Sequence, residues 1–296
     1  METKSAIVSA FYKYVRIENP VEFHKEHLEY CLSIGLKGRI LVGEEGINGS
    51  VYGNKHIVEK YKSELRKNPL FADIEFKENI TDKPAFRKMF VRVRKEIVYS
   101  ALNVDLNNTA KFIEPSKLKE WLDNNEDLVL VDMRNDYEHK IGRFRNAVTL
   151  DMKNFRDLPK SMNEIEDLKD KKIVTYCTGG IRCEKASAFL KENGFNDVYQ
   201  IKGGILKFGE EFPDTYWEGK CFVFDDRIAI EINKNDKNKL TQCQWCGNGC
   251  DDYLNCHNLD CDKLFTCCEE CREEYNKSCC EECLTAPKRR KEIIII

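Results

Sequence analysis

The chain contains no apolar run approaching the roughly 20 residues that cross a bilayer, so no membrane partner is expected. Its start, Met1 to Pro20, scatters Glu2, Lys4, Lys13 and Arg16 among short apolar stretches and lacks a signal-peptide core. A large charge of one sign is also missing: 48 Lys and Arg against 51 Asp and Glu leave a net charge of -3. That excludes a uniformly basic nucleic-acid coat and confines any RNA contact to local patches. There is no dinucleotide Gly-rich fingerprint, no haem motif and no two-His-one-carboxylate triad, so no nucleotide cofactor is expected. Cysteine is scarce before Cys243, where Cys31, Cys177, Cys183 and Cys221 stand alone, and abundant after it. The odd total of 15, with no secretion signal, points to a reducing, cytoplasmic compartment in which clustered cysteines serve as metal ligands.

Three segments follow from the patterning. Residues 1–100 read as strand–helix–strand–strand–helix–strand. Ile7 to Tyr12 alternates as a half-buried strand, and Val21 to Ile34 has helical spacing ending at Gly35. Arg39 to Val42 and Ile47 to Tyr52 are strands around a Glu44-Glu45-Gly46 hairpin turn. Asn54 caps a helix carrying Ile57, Val58, Tyr61 and Leu65, and Asp73 to Lys77 is a strand. This βαββαβ order predicts a ferredoxin-like or acylphosphatase-like domain, with Lys88 to Val98 as an additional strand. His24 and His27 read as surface residues lacking a third metal ligand.

Residues 112–218 alternate helices and continuous apolar strands (Leu128 to Asp132, Ala147 to Leu150, Ile173 to Tyr176, Val198 to Ile201), which predicts a parallel α/β layer. Residues 219–296 open with an apolar strand-like stretch, Phe222 to Ile232, and then turn Cys-, Asn- and charge-rich. The chain ends in a basic tail, Lys288 to Lys291, and four isoleucines.

Ile173-Val174-Thr175-Tyr176 delivers Cys177 to the carboxyl end of a buried strand, the edge where open α/β sheets bind ligands. Thr178-Gly179-Gly180-Ile181 is a short turn whose consecutive N–H groups can form an anion-binding nest. A helix starting near Arg182 adds the positive end of its dipole, and Arg182 adds a charge. Together these favour Cys177 as a thiolate nucleophile. Cys183 admits two readings, a second redox cysteine or a small residue packing the helix start.

Residues 112–218 resemble a rhodanese domain, through Asp132-Met133-Arg134, Glu138, Gly142, Ala147 and the Cys177–Arg182 spacing. In that resemblance the six-residue loop cradles a cysteine persulfide, and loops of related phosphatases are one residue longer. The string from Cys177 to Ser187 looks like the signature of bacterial tRNA uridine hydroxylases. Glu44-Glu45-Gly46-Ile47-Asn48-Gly49-Ser50, Lys95-Glu96-Ile97-Val98 and Lys202-Gly203-Gly204-Ile205-Leu206 are similar to that family's motifs. The resemblance implies an oxidoreductase that hydroxylates the wobble uridine of tRNA to 5-hydroxyuridine, with molecular oxygen as co-substrate and an acylphosphatase-like domain first. Loop chemistry taken alone favours the alternative, a sulfurtransferase passing a Cys177 persulfide sulfur to an acceptor.

Lys88, Arg92 and Arg94 fall on one face of their strand, opposite Met89, Val91 and Val93, and form a candidate phosphate-contacting stripe. The candidate metal ligands are Cys243, Cys246, Cys250, Cys256, Cys261, Cys267, Cys268, Cys271, Cys279, Cys280 and Cys283. Their CxxC pairs suit structural zinc, and eleven cysteines can fill two four-cysteine sites with three left over.

Overall fold

The computed structural model describes residues 5–235 and 238–290. Lys291 and the terminal isoleucines lie outside the described residues. The chain divides into two compact units, one of Met1–Asp136, Asn146–Phe212 and Phe224–Arg227, the other of Tyr137–Arg145, Pro213–Val223 and Ile228–Ile296.

In the first unit, β1 (Ala6–Tyr14), α1 (Pro20–Ser33), β2 (Lys37–Gly43), β3 (Gly46–Asn54), α2 (Lys55–Lys67), β4 (Phe76–Thr81) and β5 (Met89–Val93) follow in order. They form a sheet ordered β4-β1-β3-β2-β5, antiparallel except where β5 runs parallel to β2. This is the acylphosphatase-like arrangement with its additional edge strand. Local chemistry starts both helices: the Asn19 side chain accepts from the Glu22 N–H with Pro20 in the first turn, and Asn54 accepts from the Ile57 N–H. Val58, Tyr61 and Leu65 recur on one face of α2 and are buried.

Alternation along the strands gives the sheet two unlike faces. Ile7, Phe11, Ile40, Val42, Ile47, Val51, Met89 and Val91 join the buried core with Val58, Tyr61 and Leu65. The opposite face carries Tyr12 and Tyr14 of β1 and Lys77, which pairs with Ala10.

Two strand expectations shift. The strand placed at Asp73 to Lys77 begins at Phe76, because a 3-10 turn at Pro69–Phe71 precedes it and the Phe71 carbonyl holds the Ile74 N–H. The strand placed at Lys88 to Val98 stops at Val93. Arg94 still donates to Val42, but the Glu45 carboxylate captures the Ile97 N–H at 2.6 Å and Asn48 donates to the Ile97 carbonyl at 2.8 Å. His24 and His27 also depart from expectation. Both are half-buried, with His24 against the Val91 carbonyl and His27 against the Tyr61 hydroxyl, each at 3.0 Å. Burial, then the neighbouring His24, lowers His27 to about 4.

The chain continues through β6 (Lys111–Ile113), α3 (Pro115–Asp123), β7 (Leu128–Asp132), α4 (Asp136–Lys140), β8 (Gly142–Phe144), β9 (Val148–Thr149), β10 (Lys172–Tyr176), α5 (Ile181–Glu192), β11 (Asp197–Ile201) and α6 (Gly204–Glu211). Within the first unit a wholly parallel sheet has the order β6-β11-β10-β7-β9, with β10 at its centre. Arg134 and Asp132 form a fully buried ion pair at 2.6 Å beside the carboxyl end of β7, a structural brace.

The second unit adds β12 (Trp217–Phe222), β13 (Ala229–Glu231), β14 (Tyr253–Asn255), β15 (Leu264–Thr266), α7 (Glu269–Glu274) and α8 (Glu281–Leu284). Its sheet is ordered β13-β12-β8, and β14 pairs with β15. The continuous strand expected over Phe222 to Ile232 is instead a hairpin interrupted between β12 and β13. Arg227 folds onto Asp225 at 2.7 Å, and Ile228 takes a left-handed φ of 64°, which breaks the extended run. Among the described residues no helix is long and apolar enough to cross a membrane.

Lys185 of α5, buried to 3% exposure, ties the two sheets of the first unit together. Its ammonium meets Glu45 at 2.9 Å and Glu96 at 2.8 Å. Lys185→Met leaves two carboxylates without their cation and should destabilise the protein by about 3–5 kcal/mol. Urea unfolding checks this, and a midpoint unchanged from wild type would show the ion pairs to be dispensable.

Candidate active site at Cys177 and candidate metal centres

Cys177 follows β10, so the central strand of the parallel sheet delivers it, and its side chain is fully buried. The turn after it ends at Gly180, whose φ of 101° lies where a side chain is strained. That conformation aims the Gly180 N–H at the Cys177 Sγ, 3.2 Å away, and lets α5 begin at once. A second glycine shapes the site from outside. Gly204 has a φ of 63°, and a Cβ there would collide with the Cys177 carbonyl. Close approach lets the start of α6 brace the loop: the Ile205 and Leu206 N–H groups donate to the Cys177 and Thr178 carbonyls at 3.0 and 3.1 Å.

Burial opposes ionisation of Cys177. The Cys183 S–H, the Arg182 guanidinium and the backbone N–H groups of Arg182 and Gly180 outweigh it and pull the thiol well below its ordinary range. Cys183 moves the other way. Its own burial and the neighbouring Cys177 sulfur hold it as a neutral thiol, a hydrogen-bond donor to the thiolate. The Arg182 guanidinium is 3.4 Å from the Thr178 hydroxyl and lies over the Phe224 ring at 5.8 Å. Thr178, Gly179 and Ile181 complete the turn.

Several groups at this site have no signature in the sequence. Tyr14 donates to the Ile181 carbonyl at 3.3 Å, and the Tyr12 hydroxyl sits 3.0 Å from the position a Gly180 Cβ would occupy. Burial, followed by Glu184 and the Cys177 thiolate, raises Tyr12 well above its ordinary value, so it stays a neutral phenol. Burial also raises Glu184, opposed by the Tyr12 hydroxyl and the Lys77 cation. The Glu45, Glu96 and Lys185 network has a trace in the sequence: all three lie inside the strings quoted for the family resemblance. Tyr12, Tyr14 and Lys77 lie in none of them.

Lys88, Arg92 and Arg94 are exposed at the β5 edge, as their alternation predicts. Phe90 stands between them, with the Lys88 ammonium 5.0 Å and the Arg92 guanidinium 5.1 Å from its ring centre. Lys88 and Arg94 flank β5 rather than belonging to it.

In the second unit the cysteines gather into two groups of four, Cys243, Cys246, Cys268 and Cys271, and Cys256, Cys261, Cys279 and Cys283. Within each, the sulfurs lie within 4.8 Å of one another, so each cluster can hold a metal ion. Tetrahedral zinc with Zn–S near 2.3 Å places its sulfurs about 3.8 Å apart. The Cys246–Cys268, Cys261–Cys279 and Cys279–Cys283 separations are 3.8, 3.6 and 3.8 Å. Cys250, Cys267 and Cys280 stand outside both groups, as the three left over from two four-cysteine sites. Cys250 and Cys267 are fully buried beside Phe265 and serve as small core side chains. Arg289 of the basic tail closes this unit, donating to the Leu284 carbonyl at 3.3 Å and the Ser278 hydroxyl at 3.0 Å.

Three family models match the chain in succession: a UPF0176 acylphosphatase-like domain over residues 6–97, a rhodanese-like domain over 114–211 and a rhodanese C-terminal domain over 218–284. A tRNA uridine(34) hydroxylase of Cytophaga hutchinsonii is 45% identical to this chain, covering 95% of it and 90% of the relative. Another, from Enterococcus faecalis, is 46% identical and covers 96% of this chain and 91% of its own length. Identity at that level across both units, with the Cys177 loop intact, shows that the chain belongs to the tRNA uridine(34) hydroxylase family.

Proposed function

We propose that this protein is a cytoplasmic oxidoreductase that hydroxylates uridine 34 of tRNA to 5-hydroxyuridine, with molecular oxygen as co-substrate. The observation that carries the reading is the 43–46% identity to tRNA uridine(34) hydroxylases across nearly the whole chain. The chain is divided for this task into an acylphosphatase-like domain (1–100), a rhodanese domain (112–218) and a Cys-rich segment (219–296).

Cys177 is the reacting group, held as a thiolate by the nest and by Arg182. Cys183 supplies a hydrogen bond to that thiolate, and its buried neutral thiol favours support over a second redox role. Thr178, Gly179, Gly180 and Ile181 shape the cradle. Lys88, Arg92 and Arg94 bring phosphates of the tRNA to the β5 edge, where the half-buried Phe90 offers a ring for stacking. Zinc is the metal that suits the two thiolate clusters, with a structural role in a segment poor in aliphatic side chains. The six-residue loop supports a second reading, sulfur transfer through a Cys177 persulfide.

Nucleoside mass spectrometry separates the two readings. tRNA from a deletion strain complemented with Cys177→Ser should lack 5-hydroxyuridine and its derivatives. Retained 5-hydroxyuridine with thiouridine lost would assign sulfur transfer instead. Alkylation of Cys177 by iodoacetamide should persist as pH falls well below the ordinary thiol range near about 8.5, and Arg182→Ala should move the profile upward. An ordinary thiol profile in the wild-type protein would remove the activated thiolate. The Arg92→Glu/Arg94→Glu pair should weaken tRNA binding and flatten its salt slope by about 1.5; an unchanged slope would dismiss the stripe. Protein purified without chelator should carry about two zinc ions per chain, and less than one would rule out the paired sites.

A further inference from the structure

Lys77 is a lysine in an unusual position. It is 8% exposed, on the edge strand β4, and projects from the face of the first sheet opposite the α1 and α2 core. Its neighbour on that face is Tyr12, whose ring centre lies 4.7 Å from the ammonium. Among the described residues no hydrogen bond or ion pair is made by this ammonium. The nearby acids are otherwise engaged: Glu75 pairs with Lys202 at 2.9 Å, and Glu184 faces the Tyr12 hydroxyl. A cation held in a largely buried position without a protein acceptor is unfavourable unless water or a ligand supplies one.

The surroundings indicate what that acceptor is. Tyr12, beneath the ammonium, touches the Cys177 loop at Gly180. Lys77 therefore stands at the rim of an anion nest. Register across the sheet links it to a cationic track. Lys77 pairs with Ala10, Ala10 with Ser50, Ser50 with Arg39 and Arg39 with Phe90, all on one face. Arg39 is exposed, and Phe90 is the ring flanked by Lys88 and Arg92. A polyanion lying along this row ends at Lys77, beside the reacting cysteine. The full negative charges on a polynucleotide are its phosphodiesters.

We propose that Lys77 is a substrate-positioning residue that binds an RNA phosphodiester adjoining the target nucleotide and so holds the base over Cys177. The first domain thereby completes a site whose nucleophile belongs to the second. The assignment rests on the reading of RNA as substrate, so its primary test uses no RNA.

Iodoacetate carries a carboxylate and iodoacetamide does not, so the ratio of their alkylation rates at Cys177, followed by peptide mass spectrometry on the full-length protein, reports a cation at the rim. Lys77→Met should lower the iodoacetate preference about tenfold, the worth of one charge-assisted hydrogen bond, whereas Lys77→Arg should retain most of it. Wild type provides a check independent of mutant folding. Burial lowers Lys77 to about 8, against the opposing pull of Glu75, Cys177 and Glu184 and with help from Lys207. The charge is present below that pH and lost above it, so the preference should fade as pH rises through about 8. A ratio that neither Lys77→Met nor alkaline pH changes would overturn the proposal, as would a wild-type Cys177 that neither reagent labels. A second arm fixes the source of the anion. An anticodon stem-loop RNA should protect Cys177 from iodoacetamide in wild type and about tenfold less well in Lys77→Met. Protection by inorganic phosphate but not by RNA would overturn the RNA assignment while leaving the cation in place. Wild-type tRNA lacking any hydroxylation, with the alkylation ratio as expected, would instead count against the hydroxylase reading.

Discussion

The Lys185 ammonium occupies a point where three stretches of chain meet: the β2–β3 hairpin through Glu45, the strap after β5 through Glu96, and α5, which carries Lys185 itself. It also approaches the Val98 carbonyl at 3.4 Å. A buried ammonium with two half-buried carboxylates is costly to desolvate, and this arrangement is stable because each charge faces an opposite one and the carboxylates take further donors. Glu45 accepts from Ile97, and Glu96 from Ser100 and Ala101. Because α5 opens at the end of the Cys177 loop, fixing its first turns fixes the N–H groups that stabilise the thiolate. The same tie presses Tyr12 and Tyr14 of β1 against Gly180 and Ile181. The first sheet thus contributes to the electrostatics of Cys177 without supplying a nucleophile.

Legibility in the sequence followed the range of the interaction. Cys177, its Gly-Gly turn and Arg182 are contiguous, and the strand-to-helix grammar around them is local, so the nest could be read directly. The helix caps at Asn19 and Asn54 were equally plain. Lys77 and Tyr12 were not, since a polar residue at alternate strand positions reads as a solvated face until another domain covers it. Strand limits failed for a related reason. The run after Met89 keeps strand-like alternation through Val98, but Glu45 and Asn48, far away in sequence, take the Ile97 backbone out of the ladder. Spacing showed that eleven cysteines could make two four-sulfur sites; which three stand aside depended on which sulfurs the fold brings within reach of one another.

The Cys-rich unit solves a different physical problem. Few aliphatic side chains are available to it, so thiols do the work of a core. The two groups alternate along the chain: Cys243 and Cys246, then Cys256 and Cys261, then Cys268 and Cys271, then Cys279 and Cys283. With this interleaving each metal would close a loop containing ligands of the other. Neither half of the segment could then form its site independently, and metal binding and folding of the unit would be one event.

Charge balance at Cys177 gives the last constraint. The Cys177 thiolate is offset by Arg182, whereas the acids near Lys77 have other partners, Glu75 with Lys202 and Glu184 with the Tyr12 hydroxyl. A phosphodiester arriving at Lys77 would add a negative charge to a site of low polarity. The Lys77 ammonium keeps its charge on binding and offsets that of the phosphate where it arrives, as Arg182 offsets the thiolate.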